Sequence, residues 1–301
     1  MSNIGNSTET GDKARARLER ILPLLECPDC RGALANKAQG LTCDTCDVTY
    51  AIRNNKIYFI EAMRSTDALD RFKELIKRRM GNFLYRFMIP LVAPTYPFNY
   101  RACLLSYGDP QSKCIVDIGC GNHRLDDSII ALDGIDYPAV DIVADVTKLP
   151  FKTGSIDIVA SRGLLEHVHP LETVVSEIRR STAGGGLNVH LIPFLFPFHS
   201  SVGDYQRLTH SGAAALFEGW TVVEQRHVTG PATLFLVCLL EFLSITLSMG
   251  NARIKALVYL GASVVLFPIK FLDFPFLYFK GYQTMAPTIL TVTRKPDKQD
   301  C

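Results

Sequence analysis

The chain is expected to be an α/β protein built on a mostly parallel sheet, and three observations carry that expectation. Between residues 113 and 228, short β-branched runs alternate with helical stretches, the pattern of repeated βαβ units. Ahead of them, within residues 21–60, four cysteines fall in two CxxC pairs among short β-prone segments. Behind them, residues 231–286 are strongly apolar, and residues 288–294 return as one more alternating strand. The expected layout is a flexible tail (1–20), a cysteine-bearing unit (21–62), a helical linker or cap (63–110) and a large α/β domain (111–301). That domain carries an apolar helical insertion at 231–286.

The bulk composition narrows the function classes. At 301 residues the chain has room for one large and one small domain. Lys plus Arg number 32 against 30 Asp plus Glu, so no overall basic field recruits nucleic acid, which is not expected as a partner. The first residues, MSNIGNSTETGDKARARLER, hold no apolar core suited to a signal peptide, and are expected to fray up to about Ala14. Nine cysteines, four of them in CxxC pairs, favour metal over disulfides and a reducing, cytoplasmic compartment.

Cys27-Pro28-Asp29-Cys30 and Cys43-Asp44-Thr45-Cys46 repeat the knuckle spacing with twelve residues between the pairs. Four thiolates gathered by two tight turns form a closed tetrahedral Zn²⁺ shell with no position left for substrate, hence a structural site. A unit this small has little core, so the metal supplies much of its folding free energy. The stretch LLECPDCRGAL…LTCDTCDVTYAIRNNKIYFI resembles the zinc-ribbon module related to the tRNA-methyltransferase activator subunit, over about residues 22–60.

The central zone supplies its pieces in one order. A buried strand at residues 113–118 leads into Gly119-Cys120-Gly121, where small residues let the backbone approach a ligand closely. A second strand, 129–132, ends in Asp133, placed to accept hydrogen bonds from ribose hydroxyls. A third, 140–144, ends in Asp145. A fourth occupies 155–159, and Leu165-Glu166-His167-Val168 is expected to open the next helix. That helix ends in Gly184-Gly185-Gly186, a permissive turn into a fifth strand at 187–192.

Each fragment alone is weak; the order is what carries weight. DIGCG, DVTKLPFKTGSIDIV, LEHV and EIRRSTAGGG together resemble the class I S-adenosylmethionine-dependent methyltransferases, over about residues 114–193 and nearest the quinone-biosynthesis and polysaccharide-cluster group. The resemblance implies a Rossmann-like seven-stranded sheet and S-adenosylmethionine as methyl donor. It implies that Asp117, Gly119, Cys120 and Gly121 shape the pocket for the methionine part, that Asp133 binds the ribose, and that Asp145 with Val146 faces the adenine. Glu166 and His167 would lie near the methyl group's exit; alternatively His167 is a helix N-terminal residue satisfied by backbone. Two departures stand out. Little chain separates Gly121 from Ile129, so Asn122-His123-Arg124 mark a first helix that is short or replaced by a loop. The proline of the usual glycine-rich turn is also missing.

After the fifth strand, IPFLFPFHSSVGDYQRLTHSGAAALF gathers His199, Asp204, Tyr205 and Arg207 between aromatic residues. PFH…DYxRxT looks like a motif of methyltransferases from polysaccharide and cell-envelope clusters. His199 or Asp204 would serve as general base for an acceptor hydroxyl, with His167 a third candidate; alternatively Asp204 and Arg207 form an ion pair that fixes the loop, and His199 caps a turn. Methyl transfer itself needs chiefly in-line positioning. Uncharged runs in 231–286 fall short of the roughly 20 residues that span a bilayer. The insertion is therefore expected to be a lid, a homodimer interface or a peripheral membrane element beside Lys255, Lys270 and Lys280, with a membrane-spanning helix the less favoured alternative.

The leading expectation is a methyltransferase acting on a small or lipid-linked acceptor, with a glycan precursor at the inner membrane face as candidate. An rRNA guanine methyltransferase with the ribbon as RNA-binding module is the enzyme alternative; a non-catalytic S-adenosylmethionine-binding regulatory partner is the other.

Overall fold

The structure, a computed structural model, describes residues 5–63, 88, 91–198, 203–276 and 282–297. The cysteine-bearing unit is a β-meander of β1 (Leu34–Lys37), β2 (Gly40–Cys43), β3 (Thr49–Arg53) and β4 (Lys56–Tyr58). Its successive strands pair antiparallel. β5 (Ile115–Ile118), β6 (Ile130–Asp133), β7 (Ile142–Val143), β8 (Ile156–Arg162) and β9 (Thr182–Pro193) follow, all parallel. β10 (Thr221–His227) and β11 (Thr288–Arg294) complete the far side, with β11 inserted antiparallel between β9 and β10.

Among the described residues these strands form one sheet in the order β1-β2-β3-β4-β7-β6-β5-β8-β9-β11-β10. The seven-stranded part, β5 to β11, is the mixed α/β sheet expected from the sequence. The meander does not stand apart from it: β4 pairs parallel with β7, Ile57 opposite Ile142 and Tyr58 opposite Val143. Period-two alternation splits the strands between two faces. Val116 and Ile118 pack with Ile142, Val159 and helix α3 (Leu171–Ser181) on one face. Ile115, Ile158 and Val189 pack with helix α2 (Tyr100–Leu105) on the other. Leu25, Leu41, Tyr50 and Ile57 of the cysteine-bearing unit share the first of these clusters, so the two units have one core.

Three expectations are corrected, and of the two alternatives for the segment after β5 the loop is the one found. The tail of residues 1–20 contains helix α1 (Gly5–Ile21), because Ile21 is buried and Arg17 reaches Asp141 at 3.2 Å. The next helix does not open at residues 165–168; it starts at Leu171, since His169 precedes Pro170 and a residue before proline is pushed out of helical backbone. The three glycines lie inside β9 rather than in a turn, because Gly185 N–H donates to the Lys295 carbonyl and Lys295 N–H to that of Gly186. No helix follows β5 in the described residues before β6; Arg124 is instead clamped to Asp141 at 2.7 and 3.0 Å, which holds residues 121–128 as a loop. The helical linker expected over 63–110 falls largely outside the described residues, apart from α2 and its flanks.

The insertion is helical as expected: α4 (His210–Ala215) precedes β10, and α5 (Pro231–Ser248), α6 (Ala252–Leu266) and α7 (Asp273–Phe276) lie between β10 and β11.

Candidate active site and metal centre

A cleft of about 420 Å³ opens at the carboxyl ends of β5, β6 and β7, where a doubly wound sheet places its ligands. Its lining includes Gly119, Gly121, Asp133, Asp145 and Val146 on one side and His167 and Tyr205 on the other. Gly119 and Gly121 sit at φ +66° and +61°, and a Cβ on Gly121 would meet nothing within 4 Å, so the turn leaves its backbone bare to the cleft.

Asp133 ends β6 with one oxygen accepting Gly121 N–H and the other Ile135 N–H, both at 2.9 Å. Each oxygen keeps a lone pair, so the carboxylate can still accept from a diol. Burial raises its pKa; those backbone donors work against the rise. Asp145 accepts Thr147 N–H at 2.8 Å and so orients the short turn Val146–Lys148 at the cleft's edge.

Three of the expected cofactor residues lie behind the wall rather than on it. Asp117 is buried with Oδ1 unpartnered, and burial, opposed by Arg162 and reinforced by the Asp133 charge, pushes its carboxyl up to about 7. Cys120 packs its side chain with Ala131, Val140 and Val143, between the two glycines that line the cleft. Glu166 is 2% exposed and burial raises its pKa. Its Oε1 stands 3.7 Å from Nε2 of His167. The other ring nitrogen, Nδ1, meets the Gly203 carbonyl. A carbonyl only accepts, so Nδ1 carries the proton and Nε2 of the neutral ring keeps its lone pair.

On the acceptor loop, Asp204 is ion-paired with Arg207, whose guanidinium also reaches the carbonyls of Phe196 and Pro197. The pair fixes the loop that carries Tyr205, whose ring stacks on His169 at 5.2 Å. His199 lies outside the described residues. His169, Met63, Ile135, Tyr137 and Leu164 also line the cleft without having been singled out. The HxHP run and the DYxRxT run were the available signals for His169 and Tyr205. Met63 had none: it enters because its N–H donates to the Gly134 carbonyl at 2.9 Å.

The Sγ atoms of Cys27, Cys30, Cys43 and Cys46 lie within 4.8 Å of one another. Two of the edges, Cys27–Cys46 and Cys30–Cys43, are 3.7 and 3.4 Å. A zinc–tetrathiolate tetrahedron with bonds of about 2.3 Å has edges of roughly 3.8 Å, so the donor set fits Zn²⁺. Thr45 N–H donates to Cys43 Sγ at 3.4 Å, and the Tyr50 hydroxyl lies 3.2 Å from Cys27 Sγ; both stabilise thiolate. The knuckle is tied to the sheet domain by alternating charges. Arg31 meets Glu26 and Glu177, and Arg180 meets the same two carboxylates, at 2.8–3.4 Å.

Two family matches coincide with these two sites. Residues 116–189 match the family described as a methyltransferase domain, and residues 19–55 the family of Trm112p-like proteins. No curated protein matches the chain in sequence. Among solved structures, the chain resembles phosphoethanolamine N-methyltransferase 2 of Haemonchus contortus, solved with phosphomonomethylethanolamine and S-adenosylhomocysteine. The identity is 13% and the TM-score 0.43, over 75% of this chain and 60% of that one, so the chain spans about three fifths of that enzyme's length. It also resembles a complex of the Haloferax volcanii Trm112 methyltransferase activator with a methyltransferase, at 17% identity and TM-score 0.40, over 78% of this chain and all of that one. A third likeness is to the Burkholderia thailandensis 1,6-didemethyltoxoflavin-N1-methyltransferase, at 14% identity and TM-score 0.41, over 79% and 94% of the two chains. Residues 116–189 thus match the methyltransferase domain family and residues 19–55 the Trm112p-like family, and the two matched stretches share one Rossmann-like mixed α/β sheet.

Proposed function

We propose that the chain transfers a methyl group from S-adenosylmethionine to a small or lipid-linked acceptor at the cytoplasmic face of a membrane, a glycan precursor being the candidate acceptor. The observation that carries this reading is Asp133, a carboxylate at a strand end, set beside the open backbone of Gly121 and sharing one cleft with Gly119 and His167. The residues fit the donor: Asp133 accepts from the ribose diol, Asp145 and Val146 border the adenine, and Gly119 and Gly121 admit the methionine end.

Bound S-adenosylmethionine supplies a methyl group on a sulfonium that is already an activated leaving group. The chain's own task is positioning and proton management. Where the acceptor is a hydroxyl, its proton passes to Nε2 of His167, the ring nitrogen not committed to the Gly203 carbonyl. Glu166 at 3.7 Å then stabilises the imidazolium. The stacked His169 and Tyr205 rings border the mouth of the cleft. Asp204 acts as a positioning residue through Arg207, and His199 is a second candidate base from the same loop.

Calorimetry of the zinc-loaded full chain with S-adenosylmethionine, followed by labelled-methyl transfer into fractionated lysate, tests the proposal. Expected are saturable binding and label in the lipid or glycan pool. Label confined to RNA overturns the acceptor assignment, and absence of donor binding overturns the enzyme.

A further inference from the structure

The helices between β10 and β11 are packed inside out for water. Both are long and apolar enough to cross a membrane: Pro231–Ser248 has mean hydropathy 1.8 and Ala252–Pro275 has 1.7. Helices of this kind in a water-soluble core are mostly buried, yet only 33% and 17% of these two are. The residues turned inward include Ser244, Ser248 and Ser263, and Ser263 is the one buried residue of α6. The first half of α5 buries Leu236, Val237 and Leu240, but beyond it the large apolar side chains face out: Phe242 is 63% exposed, Leu257 68% and Val265 72%. Small hydroxyl residues between helices with bulky apolar residues outside is the arrangement expected in hydrocarbon, where packing rather than water expulsion joins helices.

Most polar groups of the hairpin are provided for internally, and the exposed Arg253 sits beside the turn between the two helices. Ser244, Thr246, Ser248 and Ser263 each donate back to a carbonyl three or four residues earlier in their own helix, at 2.7–3.1 Å. Glu241 is ion-paired with Lys255 across the two helices. At the base, Asp273 accepts the N–H groups of Gly230, Ala232 and Thr233 at 2.7–3.0 Å, and Lys270 donates to the carbonyls of Leu91 and Ala93. With 18 residues, α5 is roughly 27 Å long, close to the roughly 30 Å of a bilayer's hydrocarbon.

We propose that the α5–α6 hairpin is embedded in a lipid bilayer and holds the cleft against the membrane surface. The orientation follows from the sheet. β10 and β9 both run antiparallel to β11, so His227 and Thr288 lie at the edge where β6 ends in Asp133. The hairpin therefore rises from the cleft edge, and a lipid-borne acceptor reaches the donor without leaving the membrane; this second half rests on the methyltransferase reading, the first half does not. A second copy of the chain fits the surface less well. Ile245 and Leu247 are both exposed yet point roughly 160° apart on α5, more than one flat interface covers.

The test is flotation of the zinc-loaded full chain with vesicles of phosphatidylcholine alone. The expected result is co-flotation that persists in molar salt and after alkaline carbonate. Leu257→Glu with Val265→Glu lowers vesicle partitioning on the order of a hundredfold while donor affinity by calorimetry is unchanged. As a milder probe, Phe242→Trp in a Trp220→Phe background gives fluorescence quenched by brominated acyl chains. A soluble monomer that ignores vesicles, binding abolished by salt, or a lipid-independent dimer split by the double substitution each overturns the proposal. Failure of donor binding alone overturns the methyltransferase reading and leaves the hairpin's place in the bilayer standing.

Discussion

Asp117 sits one layer behind the cleft, and its burial sets a pH dependence. Its folded pKa, about 7, exceeds the unfolded value of about 4, so the folded chain holds an extra proton between the two. The associated stability is full below about pH 4 and is lost as pH rises through 7. Asp117→Asn removes that dependence: at pH 8 the variant gains on the order of 2–4 kcal/mol, and its Tm varies less between pH 4 and 7 than that of the parent. Thermal unfolding across pH reads this directly, and an unchanged profile refutes it. Asp133 behaves differently, because its oxygens face both the loop and the cleft. Asp133→Asn lowers S-adenosylmethionine affinity by roughly tenfold or more, since an amide replaces a charged acceptor with a donor on one side. Calorimetry at constant zinc content checks it.

At the scale of elements, the decisive contact is β4 against β7. The four-cysteine knuckle orders the meander, and the meander continues the sheet into the strand whose end leads to Asp145. Chelating the metal therefore frees the β7 edge and withdraws Met63 from the cleft. Loss of the metal lowers both Tm and donor affinity, whereas an independent ribbon would lower neither property of the sheet domain. Glu177→Ala weakens the charged tie without touching a thiolate. It retains full zinc by colorimetric assay yet lowers stability by about 1–3 kcal/mol, because Arg31 and Arg180 are left to share Glu26 alone.

The whole molecule joins three parts around one sheet: a metal knuckle on one edge, a cleft at the carboxyl ends, and an apolar hairpin rising from the cleft's side. Asp273 is the fastening of the last part. Asp273→Ala is expected to remove hydrogen-exchange protection at the amides of Ala232 and Thr233 while leaving the ribbon's protection intact. The near-equality of 32 basic and 30 acidic residues gives the molecule no general attraction for RNA. Its affinity for RNA at physiological salt is expected to be weaker than micromolar; tighter, salt-sensitive binding by filter retention contradicts this.

Much of this was legible in the residues, because the signals are local. Cysteine spacing marks the knuckles, β-branched runs mark the strands, and a carboxylate directly after a run lies at a strand's end whatever the fold around it. Asp133 and Asp145 belong to that class. The α1 helix was missed because its anchors, Arg17 on Asp141 and Ile21 in the core, are contacts with residues more than a hundred positions away or with a core not visible in its own polar sequence. The start of α3 was misplaced because the constraint before Pro170 outweighs the apolar pattern of Leu165 and Val168.

What the sequence by itself determined is the strands of the main sheet, the metal donors and the glycine-bearing turn, since each depends on neighbours a few residues apart. The tertiary structure alone decided that the meander extends the main sheet and that Met63, His169 and Tyr205 line the cleft. It alone showed that the apolar hairpin turns Ser244, Ser248 and Ser263 inward and Phe242, Leu257 and Val265 outward. Those outcomes depend on which faces meet, and facing is a property of long-range pairing that no local pattern carries.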